Sequence, residues 1–267
     1  MKYVLSTSIP GNYFSPHKLF MKKSSLQKLL VLVSVLVCFS FLPMNHRHDI
    51  WNLENHKKQP LNVLLFTADD LDRNSLGCFG SAVPEISPNI DRFAAQSLRF
   101  ERSFVNAAIC VPCRGIIATG LYGYNSGVTG FNQMKPGSDI PLIMEILRSH
   151  NYEVGCIGKL GHSTPKKDFR WDYEIEQNDL GFGRSPALYY QRTKKFFEQC
   201  HQKSKPFYLM VNSHDPHRPF FNPNESMTKG EEAPSRVYST SEIRVPGFVP
   251  DLPKVREDLS YYYNSTR

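Results

Sequence analysis

The chain has 267 residues, 40% of them hydrophobic and 21% charged, with 19 prolines and 16 glycines. That is room for one large α/β domain or at most two small ones, and the apolar content excludes a disordered chain. The net charge of +7 points toward nucleic acid only until it is placed: residues 1–60 carry eight Lys/Arg against two Asp/Glu, and residues 61–267 carry 24 against 23. The basic character belongs to the N-terminal leader, and the near-neutral body has no electrostatic footprint for a phosphate backbone. No nucleic-acid partner is expected.

The leader comes first. Leu26 to Leu42 reads LQKLLVLVSVLVCFSFL, behind Lys22 and Lys23. A basic stretch followed by ~15 apolar residues fits a secretory signal better than a membrane span of ~20. Residues 1–45 are therefore expected to be a leader that sends the chain to a secreted, periplasmic or lysosome-like compartment. Cys38 and Ser40 are small residues placed for a cut after Ser40. Left uncleaved, the same segment would anchor the chain, and no other membrane contact is expected. Met21 followed by two lysines is itself a conventional signal start, so residues 1–20 are expected to reflect a start assigned too far upstream. Residues 46–60 are polar and aperiodic, a linker, and the body runs from 61 to 267. With Cys38 gone, five cysteines remain, an odd number with no disulfide spacing. At least one is expected to serve chemistry.

In the body, Leu61–Ala68 (LNVLLFTA) is nearly all apolar, the pattern of a central parallel strand buried on both faces. It stops at Asp69-Asp70. Ser87-Pro88 opens a helix with a capping residue and a first-turn proline, and Ile90, Phe93, Ala94 and Leu98 form its expected core face. A short helical stretch covers Gly115 to Leu121. Ser138 is expected to cap a helix through Ile140, Ile143, Met144 and Leu147. Tyr152–Gly158 is a second strand, ending at Lys159. Ser185-Pro186 begins a third helix with Tyr189, Thr193, Phe196 and Phe197 on one side. Phe207–Val211 is a third strand, running into Asn212-Ser213-His214-Asp215-Pro216-His217. Strands alternating with helices predict an α/β fold, a mostly parallel sheet flanked by helices.

Each of the three strands is followed at once by polar or ionisable residues: Asp69-Asp70, Lys159 with His162, and His214. Ligands of open α/β sheets sit beyond the carboxyl ends of the strands. One sheet edge would thus collect two carboxylates, a lysine and two histidines, a set that suits an anion held beside a divalent cation. Taken alone, Asp69-Asp70 is also what a solvated turn looks like, although two hard oxygen ligands suit Ca²⁺ or Mg²⁺. Lys159 alone is as consistent with a solvated side chain, and His217 reads as an orienting neighbour.

Cys110-Val-Pro-Cys113-Arg114 carries more information. Its C-x-x-C spacing before a helix is that of a redox motif. The flanking residues lack the aromatic-Cys-Gly-Pro pattern, and the chain is too long for the small thioredoxin-like fold.

From Leu61 to Arg267 the chain resembles the sulfatases of the alkaline phosphatase superfamily. The matching stretches are LLFTADDL, SPNIDRFAAQSLRFERSF, CVPCRGIIATGLY, IGKLGH and NSHDPHRPF. HDPHRPF and VPGFVPDLPKVREDL look most like the heparan N-sulfatase branch. The resemblance implies an alkaline-phosphatase-like sulfatase fold. It implies that Cys110 is oxidised to formylglycine by a maturation enzyme, with Arg114 supporting it. Asp69 and Asp70 match two Ca²⁺ ligands, with residue 110 completing that side. Lys159 and His162 match the lysine–histidine pair around the sulfate, spaced K-x-x-H here where many members have K-x-H. His214 matches the histidine near the leaving group.

The implied chemistry explains these residue types. A covalent sulfate on a thiol would have no easy exit, whereas a hydrated aldehyde can attack sulfur with one hydroxyl and expel sulfate with the other. Ca²⁺ acidifies the attacking hydroxyl and neutralises charge. Lys159, Arg114 and the helix after Cys110 stabilise the anion, and His214 can protonate the departing oxygen or nitrogen.

Two departures stand out. Cys113 occupies a place that usually holds Ser or Ala. The segment Tyr261 to Arg267 looks like a helix leading toward a later strand and an Asp-Asn pair that completes the metal site, so the resemblance covers the first half of a sulfatase, cut before its C-terminal subdomain. The implied substrate is a sulfated glycan or small sulfate ester. A phosphonate or phosphodiester hydrolase using the same motif, and a non-catalytic sulfated-glycan binder, remain alternatives.

Overall fold

A computed structural model describes residues 60–227 and 229–267. The leader, the linker up to residue 59 and the upstream-start expectation lie outside the described residues. Among the described residues, no helix is long and apolar enough to cross a membrane.

Four strands form one sheet: β1 (Val63–Thr67), β2 (Glu153–Ile157), β3 (Tyr173–Ile175) and β4 (Phe207–Asn212), in the order β1-β4-β2-β3. Every pairing is parallel. The register sets Thr67 against Asn212, Ile157 against Val211 and Ile157 against Ile175. All four carboxyl ends therefore reach one edge, as the alternating pattern predicts. β3 has no forecast in the sequence, because three residues among charged neighbours carry no readable period.

Side chains alternate across the strands. Val154 and Cys156 of β2, with Tyr208 and Met210 of β4, face one core with Val111, Ala118, Met144 and Trp171. Leu209 and Val211 face the other, with Phe196, Cys200 and Leu180. The first layer draws on α2 (Cys110–Thr119) and α4 (Ile143–Ser149), and the second on α6 (Pro186–Lys203). All five residues of β2 are buried, as a central strand with both faces covered requires. Besides α1 (Pro88–Ala94), two one-turn helices, α3 (Gly123–Ser126) and α5 (Leu160–Ser163), complete the body with α7 (Pro253–Thr266). Tyr263 of α7 packs a smaller cluster with Val83, Ile86, Tyr238 and Ile243.

Three sequence expectations need correction. β1 is an edge strand, and Leu64 and Phe66 are 53% and 60% exposed. An apolar run specifies a strand that wants cover; it does not specify which neighbour covers it. On α1, Ile90 and Phe93 are exposed and Leu98 lies beyond the helix, so that face is not core. Finally, α4 starts at Ile143 with Leu142 as its cap, not at Ser138. Pro141 disfavours a helical Ile140 before it, and the Glu145 carboxylate accepts the Leu142 N–H at 2.8 Å. By contrast, Ser185 caps α6 as expected, its Oγ accepting the Leu188 N–H at 3.1 Å.

Gly155 is required by close approach. A Cβ there would stand 2.8 Å from both the Leu209 Cδ1 and the Phe196 ring. Gly155→Ala is expected to lower unfolding free energy by about 1–3 kcal/mol, the usual cost of overpacking. Equilibrium urea unfolding measures it, and an unchanged midpoint would contradict the packing described.

Candidate active site

The parallel register puts the residues that follow β1, β2 and β4 side by side. Backbone bonds continue the pairing past the strands: the Ser213 N–H donates to the Thr67 carbonyl at 2.8 Å, and the Asp69 N–H to the Asp215 carbonyl at 3.4 Å. Here lies a buried ion cluster. The Lys159 Nζ is 2.5 Å from Asp69 Oδ2, and Arg114 Nη2 is 3.5 Å from Asp69 Oδ1. Asp69, Arg114 and Lys159 are 4%, 4% and 7% exposed. Burial by itself would raise the Asp69 pKa, but the hydrogen bond and charge of Lys159, then Arg114, hold it below the usual carboxylate range.

Two cations thus share one carboxylate. A buried charge is costly unless paired, so this cluster favours a further negative charge beside it. Arg114 is aimed by polar neighbours: it donates to Thr67 Oγ1 at 3.2 Å, to Asn212 Oδ1, and at 3.5 Å to Ser163 Oγ. Asn212 is fixed in turn, accepting from Thr67 Oγ1 at 2.8 Å and donating to the Gly158 carbonyl at 2.9 Å. Thr67, Ser163 and Asn212 were not singled out as site residues. Asn212 had a readable signal, a polar residue closing a buried apolar strand.

Cys110 opens α2, and Arg114 follows four residues later, so both side chains leave the same face of the helix. Two other site residues adopt left-handed backbone, Asp70 at φ 59° and Lys159 at φ 51°. Such conformations cost of order 1–3 kcal/mol for a non-glycine residue and cluster at functional sites. From that bend the Lys159 ammonium reaches Asp69. Asp70 turns outward instead. Its carboxylate is 61% exposed, with His217 Nε2 at 3.8 Å.

His214 is 8% exposed and its ring lies 5.0 Å from that of His217. Burial first, then the charges of Lys159, Arg184 and His217, push its pKa down to about 4, with Asp69 opposing. His162 is half-buried, edge-on to Phe131, and is also pushed down, by burial and then by Lys159. The Nδ1 atoms of both histidines are buried without a hydrogen-bond partner. They are polar groups available to a bound oxyanion.

The loop carrying His214 is held by a residue that sequence reading missed. Arg184 donates from Nε to Asp215 at 2.8 Å and from Nη2 to the carbonyls of His217, at 3.1 Å, and Pro219, while Nη1 pairs with Glu231 at 3.4 Å. Nothing local marks it, since its partners are all distant in sequence. Burial pushes Asp215 up to about 6 even against Arg184.

As for a cation, no group of three or more His, Cys, Asp and Glu side chains is placed to hold a metal ion among the described residues. Asp69 and Asp70 fit a hard divalent cation in donor chemistry: a carboxylate kept anionic and an outward-facing neighbour at one strand end. In number they are part of the roughly six to eight oxygens that Ca²⁺ takes.

Two outcomes follow from the geometry. Replacing Arg184 by Met leaves Asp215, whose side chain is 20% exposed, without its cation, which should cost about 1–3 kcal/mol in urea unfolding; a loss below about 1 kcal/mol, that of an exposed ion pair, would refute the Arg184 assignment. His214 has its folded pKa below the unfolded value, so the unfolded chain binds more protons between about pH 6.5 and 4. Its contribution is full above that window and is lost as pH falls through it. His214→Asn should remove that slope, against an opposite one from Asp215; unchanged melting-temperature profiles across these pH values would contradict the burial of His214.

Comparisons with known proteins place the chain in a family and a fold. The Sulfatase family model matches residues 61–266. Human N-sulphoglucosamine sulphohydrolase is 29% identical over 232 residues, covering 78% of this chain and 45% of that protein. A structure solved with its substrate D-glucosamine-2-N,6-O-disulfate superposes with a TM-score of 0.51 at 21% identity, covering 61% of this chain and 36% of that one. A protein of the alkaline phosphatase superfamily from Vibrio parahaemolyticus gives 0.52 at 13% identity, over 79% and 49% of the two chains. At these identities the structures speak for the fold alone. The chain spans less than half the length of each of these proteins.

Proposed function

Since the chain belongs to the sulfatase family, we propose that it serves the hydrolysis of sulfate esters or N-sulfates of sulfated glycans, with residue 110 as the nucleophile's source. The observation that carries this reading is the buried cluster in which Lys159 and Arg114 share Asp69. Its surplus positive charge, walled from water, suits a sulfate group. The human relative's name and the monosaccharide in the related complex, a glucosamine sulfated at the nitrogen and at O6, favour a sulfated glucosamine unit among such glycans.

The chain's own residues then divide the work. Lys159 and Arg114 bind the sulfate oxygens and stabilise charge that grows on them, a role preorganised by Thr67, Asn212 and Ser163. His162 and His214 are neutral at pH 7 in the free site. A sulfate anion placed beside His214 favours its protonated form, so substrate arrival readies it to give a proton to the leaving oxygen or nitrogen. His217, more exposed and facing Asp70, orients that loop. Formylglycine at residue 110 would supply a hydrated aldehyde as nucleophile. Asp69 and Asp70 would hold Ca²⁺, which supplies Lewis-acid charge neutralisation. The partners of this reading are the glycan, a maturation enzyme acting on Cys110, and an exported compartment reached by the leader.

Co-expression with a maturation enzyme, then peptide mapping and parallel assays on aryl sulfate, N-sulfated glucosamine and a phosphodiester, tests the reading. An aldehyde at Cys110 is expected, because Pro112 and Arg114 are counted from it; an aldehyde at Cys113 would overturn the assignment. In a chain of full family length, Lys159→Ala should reduce turnover by about 10²–10³-fold, the range for a lost oxyanion stabiliser, His214→Ala by about 10²–10⁴-fold, the range for a lost proton donor, and His217→Ala by less. Equal losses at His214 and His217 would mean that their roles are misassigned, and preference for the phosphodiester would favour that substrate class instead.

A further inference from the structure

The second cysteine of the Cys110-Val-Pro-Cys113 turn has no part in the chemistry above, and its position gives it one. We propose that Cys110 and Cys113 form a reversible disulfide across the first turn of α2, and that this bond withdraws Cys110 from conversion to the aldehyde. The bond rests on geometry alone; only its consequence rests on Cys110 being the nucleophile's source.

Cys110 is the first residue of α2 and Cys113 the fourth. At 1.5 Å rise and 3.6 residues per turn their Cα atoms are about 5 Å apart, inside the usual disulfide range of roughly 4.4–6.8 Å. Helical side chains lean toward the N-terminus, so the Cys113 thiol lies over the turn that begins at Cys110. Pro112, between them, has no N–H to lose and a φ already suited to the first turn. Both cysteines are half-buried, open enough for a small reagent.

The other described cysteines are worse placed. Cys156 and Cys200 are buried on β2 and α6, where burial pushes their thiols up to about 12 and about 11. Cys78 sits in a separate turn beside Asp91, whose carboxylate accepts its backbone N–H. Burial also raises the Cys113 thiol, with Arg114 opposing.

The oxidant is a small-molecule disulfide of the glutathione class, which an exported compartment supplies. The Cys110 thiolate attacks one of its sulfurs, forming a mixed disulfide and releasing one glutathione thiolate. The Cys113 thiolate then attacks the Cys110 sulfur, closing the protein disulfide and releasing the second. Two cysteine thiols lose two protons and two electrons, and one glutathione disulfide gains them. The ring spans only four residues, so it adds little to stability. With the Cys110 sulfur bonded to Cys113, no thiol remains there for the maturation enzyme.

The test needs no turnover. The reduced full chain is exposed to glutathione disulfide, free thiols are alkylated, and the tryptic peptide Ser103–Arg114, which carries both cysteines, is weighed. The expected peptide is unalkylated and lighter by two hydrogens, dithiothreitol reverses this, Cys113→Ser abolishes it and Cys78→Ser leaves it intact. The maturation enzyme is then added to oxidised and reduced chain. Aldehyde yield at residue 110 should fall in proportion to the disulfide fraction, whereas Cys113→Ser, treated with glutathione disulfide and freed of mixed disulfide under mild reduction, should convert like the reduced chain. Two alkylated cysteines, or separate glutathione adducts on them, would overturn the bond. A bond that leaves conversion unchanged would overturn its consequence. Absence of aldehyde in every arm would overturn both that consequence and the reading of Cys110 as precursor, while leaving the bond established.

Discussion

Asp69 is the point on which the site turns. It is a buried carboxylate with a lysine on one oxygen and an arginine on the other. Neither cation could be kept in this position alone, since an unpaired ammonium or guanidinium so far from water is costly. One carboxylate compensates only part of their charge. The surplus makes a further negative charge beside it favourable, and it adds to burial in holding the pKa values of both nearby histidines down.

The sheet register is what makes that sharing available. Asp69 follows β1, Lys159 follows β2 and Asn212 closes β4, and parallel pairing carries all three to one level. Arg114 comes from a different layer and reaches in from α2, steered by Thr67, Asn212 and Ser163. A slip of one residue in any strand would turn these side chains to the other face. Gly155 allows Phe196 to pack directly on β2, so the central strand that carries Lys159 has little room to shift.

The loop that carries His214 is held in a different way. The loop after β4 has no regular structure, and a single buried guanidinium holds it by two backbone carbonyls and a carboxylate. Across the site, α2 presents Cys110 and Cys113 from its first turn. The strained backbone at Asp70 and Lys159 completes the arrangement, with the surrounding packing supplying what those conformations cost.

Much of this was legible without coordinates. Apolar runs of strand length, the ionisable residues that end them, the Ser-Pro start of α6 and the spacing from Cys110 to Arg114 are local, and local dihedral preferences and side-chain periods write them directly into a sequence. Tertiary structure alone decided that β1 lies at the sheet edge, that α1 leaves its apolar face exposed, that Asp69 is shared while Asp70 turns outward, and that Arg184 braces the His214 loop. Each of these depends on contacts between residues far apart in the chain. Burial and pairing are properties of the neighbours a side chain meets, and a sequence lists side chains without stating which of them will meet.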